Sequence, residues 1–177
     1  MVLPQRRLST DHGLTWNGRT DGTGPPTQVS YNYGTPDCDA EAPTTTCGLH
    51  ASIFPWIAAT GTGHVDLVWY GSSTQKFTNN ITSGPTFGGP NTAWSVFFAE
   101  TQDGTANAGG NVAGPTIGQA IATHNPNHIG PICTGGTGCL AGSRTLGDFS
   151  QVAIEQATGC AVVAYGNDRA AAAQVHA

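Results

Sequence analysis

Eight residues near the start, Ser9-Thr10-Asp11-His12-Gly13-Leu14-Thr15-Trp16, constrain the fold more than any other stretch. Read as S-x-D-x-G-x-T-W, they predict a tight turn between two strands. The Asp11 carboxylate can accept hydrogen bonds from backbone amides of its own turn. Gly13 can take positive φ without a Cβ clash. Ser9 offers a hydroxyl that closes the loop from the other side. Thr15 opens the outgoing strand, and the Trp16 ring can cover the loop and bury a large apolar area. Residues used in this way hold a turn and do not touch a substrate.

The composition agrees with a chain of strands and turns. Asp, Glu, Lys and Arg make up 10% of it, against about 25% in an ordinary globular protein. Glu occurs only at 41, 100 and 155 and Lys only at 76, so good helix formers are scarce apart from Ala. Glycine is abundant, with 25 of 177 residues, as many tight turns would require. Aromatic and β-branched residues recur in patterned runs, which excludes disorder. The fold class is therefore all-β. A net charge of −5 without a basic stripe argues against nucleic acid as a partner. No apolar run approaches the roughly 18 residues of a membrane span. Met1-Val2-Leu3-Pro4-Gln5-Arg6-Arg7 carries charge with no apolar run after it, so it does not read as a signal peptide.

In chain order, residues 1–20 give a short strand, the turn and a strand from Thr15. Residues 21–50 read as a long loop, which Cys38 and Cys47 could clip. Phe54–Ala59 and His64–Tyr70 predict a hairpin across Gly61-Thr62-Gly63. In its return strand Val65, Leu67 and Trp69 face one way, and Asp66, Val68 and Tyr70 the other. Both faces are largely apolar, which suits a strand covered on two sides. Pro55 belongs near a strand start or on an edge. Residues 71–92 read as a second loop, Ala93–Thr101 as a third strand and Thr116–Thr123 as a fourth. Phe149–Glu155 and Ala161–Tyr165 predict another hairpin. Its second strand ends in Tyr165-Gly166, as the earlier one ends in Tyr70-Gly71, a weak internal repeat.

The Ser9–Trp16 pattern resembles the Asp-box, or BNR repeat, of sialidases and related β-propellers. Two further stretches are similar to sialidase-like secreted propellers. One is Phe54–Ala59 with Val65–Tyr70. The other is His128-Ile129-Gly130-Pro131-Ile132-Cys133 with Cys139, Arg144, Leu146, Asp148, Phe149 and the hairpin after it. The resemblance implies a six-bladed propeller with antiparallel four-stranded blades, of which this chain holds about two. Residues 1–20 would end one blade with the Asp-box (Ser9, Asp11, Gly13, Thr15 and Trp16), 51–125 would form a whole blade, and 126–177 would start the next. The box at residue 9 leaves no room for a blade's first two strands, so the chain reads as a fragment whose remaining blades lie elsewhere. The implied activity is that of a secreted glycoside hydrolase on sialylated or related glycans. A non-catalytic Asp-box propeller that binds glycan or protein is the alternative, inactive as an isolated piece.

Sialidases hold the substrate carboxylate with an arginine triad and use a Tyr–Glu nucleophile pair and an Asp acid/base. Guanidinium forks suit that carboxylate because they bind it bidentately. Arg6, Arg7, Arg19, Arg144 and Arg169 are present, but none lies in the Phe/Tyr-Arg-Ile-Pro motif that opens many sialidases. Arg144 and Asp148 are the weak catalytic candidates, with a loop ion pair or an Asx-type cap as the favoured structural reading. Tyr70, Tyr165 and Glu100 end apolar strands and read as packing or solvated positions. His124, His128, Cys133 and Cys139 could form a tetrahedral zinc site. A disulfide between Cys133 and Cys139 across the Gly-rich loop is favoured, and it would contribute about 2.5 kcal/mol on the chain-entropy model. Cys38–Cys47 is read the same way. Cys160 is left as a buried free thiol. No cofactor is expected, and no metal beyond that rival reading of the cysteines.

Overall fold

The computed structural model describes residues 5–6, 27–28, 51–61, 63–73, 77–80, 84–104, 116–140, 144–146 and 149–169. The Asp-box, Cys38, Cys47 and Asp148 lie outside them. The described residues form antiparallel sheets. No helix among them is long and apolar enough to cross a membrane.

The main sheet holds β3 (Ser52–Thr60), β4 (His64–Ser72), β7 (Ala93–Thr101) and β8 (Gly118–Ile121), in that order, with the short β9 (His128–Ile129) also paired to β7. The four strands expected between 54 and 123 are thus hydrogen-bonded neighbours in chain order. The third matches its expected bounds, because its alternation of Trp94, Val96 and Phe98 with Ser95 and Phe97 is unbroken. The fourth is shorter than expected.

Both faces of β4 and β7 are buried, as the sequence implies. Leu67, Trp69, Phe97 and Ala99 form one cluster, with the Trp69 and Phe97 rings stacked at 5.9 Å. Val68, Tyr70, Trp94 and Val96 form the other, and on it packs the hairpin of β11 (Gln151–Ile154) and β12 (Ala161–Ala164) through Val152 and Val163. Leu146 completes this second cluster. The hairpin leaves Phe149 and Val162 exposed on its outer side.

β3 is an outer strand, and Pro55 sits there at a bulge where the register slips between Ile53 and Trp56. Phe54 takes φ 52° at this bulge, a conformation that costs on the order of 1–3 kcal/mol in a non-glycine residue. Contacts hold it in place. Its ring meets Tyr70 edge-on at 6.3 Å, and its carbonyl accepts a 3.0 Å hydrogen bond from the Ser150 hydroxyl.

One expectation is corrected. Residues 71–92 are not all loop: β5 (Phe77–Asn80) and β6 (Gly84–Phe87) pair there as a hairpin. Its register sets Phe77 opposite Phe87 and Thr78 opposite Thr86. β10 (Ile132–Cys133) adds to the free edge of β6. The remaining described strands, β1 (Gln5–Arg6) and β2 (Thr27–Gln28), pair with each other.

Candidate functional site

Cys133 and Cys139 are joined by a disulfide across a 3₁₀ turn at Gly136–Gly138. Both sulfurs are used in that bond, so the alternative His/Cys zinc site is not formed. The two histidines of that set part company as well. His124 is exposed, while His128 is buried on β9. Cys160 corrects another expectation, because its thiol is free but exposed. It precedes β12 at the hairpin tip, where no second layer covers it.

Arg144 is exposed and donates from Nη1 to the Gly136 carbonyl at 3.1 Å, which ties it to the disulfide loop. Tyr70 is fully buried, and its hydroxyl oxygen accepts the Gly166 amide hydrogen at 2.8 Å. Burial pushes its phenol above the ordinary tyrosine value. A sealed, raised phenol is a poor nucleophile.

The segment after β12 is clamped to the segment around β9. The Asn127 amide donates to the Gly166 carbonyl at 2.9 Å, and the Asp168 amide to the Asn127 carbonyl at 3.2 Å. His128 Nδ1 meets Asp168 Oδ2 at 2.6 Å, and the Thr145 hydroxyl donates to the same oxygen at 2.5 Å. Burial pushes the Asp168 carboxyl up. The hydrogen bonds from Thr145 and His128 and the His128 charge outweigh that and hold it below its ordinary value. His128 Nε2 is buried with no partner among the described residues, and the pair acts as a latch between the two segments.

Beside the latch opens a cleft of about 470 Å³. Thr123, His124, Asn125 and Pro126 line one part of it and Tyr165, Asn167 and Arg169 another. Tyr165 is 39% exposed, so its ring is available to a ligand. Asn167 Oδ1 accepts the Arg169 amide hydrogen at 3.0 Å and so fixes the turn that carries the guanidinium. Among the described residues no carboxylate belongs to this lining.

A second constellation lies at the far end of β4 and β7. His64 and Asp66 are two residues apart on one strand and share a face. Asp66 stands directly opposite Glu100 in the register. His64 Nε2 lies 3.2 Å from Asp66 Oδ1 and 3.5 Å from Glu100 Oε1. Gln102 donates to the same Glu100 oxygen. Asp66 is fully buried, and its Oδ2 finds no partner among the described residues. Burial pushes its carboxyl above the ordinary value; His64 pulls it down and Glu100 pushes it up, and burial prevails. The sequence reading passed over His64 and Asp66 as members of an apolar strand. Their i, i+2 spacing was the available signal.

Compared with protein-family models, curated proteins and solved structures, the chain matches none.

Proposed function

We propose that the protein is a piece of a secreted, sialidase-like propeller that binds acidic glycans without cleaving them. The cleft between His124 and Arg169 carries this reading. It sets a guanidinium, which suits a sugar carboxylate, beside the exposed ring of Tyr165 and the amides of Asn125 and Asn167. Rings stack on the apolar faces of sugars, and amides bond their hydroxyls. The sialidase scheme asks for a Tyr–Glu nucleophile pair and an Asp acid/base that all reach the substrate. Among the described residues no Asp or Glu lines the cleft beside Tyr165, and Tyr70 is sealed from solvent. Binding is therefore favoured over hydrolysis. The exposed Phe149 and Val162 would meet a neighbouring blade.

The test is a titration of the full chain with 3′-sialyllactose and with lactose, beside a fluorogenic sialoside assay. The expected result is saturable binding of the sialylated sugar alone, weakened about tenfold or more by Arg169→Ala, which corresponds to about 1.4 kcal/mol. No binding, or equal binding of lactose, would overturn the reading. Release of the fluorophore would restore the hydrolase in its place.

A further inference from the structure

We propose that His64, Asp66 and Glu100 bind one divalent transition-metal ion, with zinc as the best-fitting example. This inference is independent of the glycan reading, since the three residues lie outside the cleft.

The geometry is the first support. The three candidate donor atoms lie within 4.8 Å of one another. The two edges that meet at His64 Nε2 are 3.2 and 3.5 Å. A tetrahedral ion with bonds of about 2.0–2.1 Å to nitrogen and oxygen needs ligand separations of roughly 3.3 Å. These two edges bracket that value, and the third lies within the 4.8 Å of the set. Central strands carry all three residues, so the arrangement is held by the sheet and not by a loop.

Charge is the second support. Two carboxylates placed directly opposite on adjacent strands repel each other. One imidazole can offset at most one of the two negative charges. A divalent ion offsets both and uses the neutral imidazole as a ligand. Asp66 Oδ2 is the third and independent support. It is a buried carboxylate oxygen with no described partner, in a residue that is fully buried. Buried oxygens of this kind are uncommon and call for a water or an ion to complete them.

The donor set selects the ion. One imidazole with two carboxylates suits zinc or a neighbouring first-row metal. Calcium asks for six to eight oxygens, and three residues do not supply them. Gln102, bonded to Glu100 Oε1, supplies the outer support that orients a ligand. The Glu100 side chain is 38% exposed, which gives the ion an entry from solvent and leaves a coordination position for water.

The experiment is equilibrium dialysis of the full chain, stripped with a chelator, against Zn²⁺. Co²⁺ replaces it in a parallel run, so that visible absorption reports the coordination. The expected result is one ion per chain with the Co²⁺ spectrum of a four- or five-coordinate site. Glu100→Gln and His64→Gln should each weaken binding about tenfold or more, while circular dichroism shows the fold unchanged. Asp66→Asn should do the same, but its buried position makes the other two variants the deciding ones. Absence of binding would overturn the proposal. So would binding that neither Glu100→Gln nor His64→Gln changes, or displacement of Zn²⁺ by an equal concentration of Ca²⁺.

Discussion

The described residues include two histidine–carboxylate clusters, and they are built for opposite ends. At the latch, His128 and Thr145 both bond Asp168 Oδ2, and that carboxyl is held below its ordinary value. At the end of the main sheet, Asp66 shares His64 with Glu100, keeps an oxygen without a described partner, and is pushed up by burial. The first carboxylate is satisfied where it stands. The second is left incomplete among the described residues. The difference teaches that a buried His–Asp contact is not one kind of object. What decides its use is whether the surroundings have finished paying its desolvation.

The sharpest way to break the comparison is to unseat the latch. A Cβ at Gly166 would lie 2.2 Å from the Leu146 carbonyl oxygen. Gly166→Ala should therefore cost on the order of 3 kcal/mol in a urea melt, since backbone must move. A variant as stable as the parent would show that this segment is not docked against 146.

Next comes Asp168→Asn, which keeps the shape and removes the charge. It should cost about 2 kcal/mol, as loss of hydrogen bonds to a charged group does. The sign of its pH dependence follows from the lowered carboxyl. Its contribution is fully present above the unfolded value of 3.8 and is lost as pH falls through the lower folded value. The stability gap between parent and Asp168→Asn should therefore close below pH 3.8, and denaturation curves taken at pH 6 and pH 3 check it.

Asp66→Asn should go the other way. In the presence of a chelator, stability should stay level or rise by up to about 1 kcal/mol, because an incompletely paired buried charge is removed. A loss as large as that of Asp168→Asn would make the two pairs equivalent and erase the comparison. The smallest effect belongs to Arg144→Ala. Its exposed bond to the Gly136 carbonyl should be worth under about 0.5 kcal/mol by thermal melt.

Much of the main sheet was legible because its strands alternate. Val65–Tyr70 and Ala93–Thr101 put their residues on the faces the period of two demands. The β5–β6 hairpin was hidden because Gly84 and Pro85 look like loop, and its backbone pairing exists only once the register is known. The site residues divide in the same way. His64 and Asp66 are local and could have been read together. Glu100 joins them only through strand pairing, and Asp168 reaches His128 across 40 residues that no spacing rule connects. Cys160 was misplaced because a strand's last turn residue and its first core residue look alike in one dimension.

The strained bulge at Phe54 has a consequence in time. Its stabilising bond comes from Ser150, and that of Tyr70 comes from Gly166, each 96 residues away. The β3–β4 hairpin can close across its short turn within microseconds, but contacts this distant in sequence form slowly. The β3–β4 hairpin can therefore form before its bulge is supported, and docking of the C-terminal hairpin supplies the contact that holds Phe54.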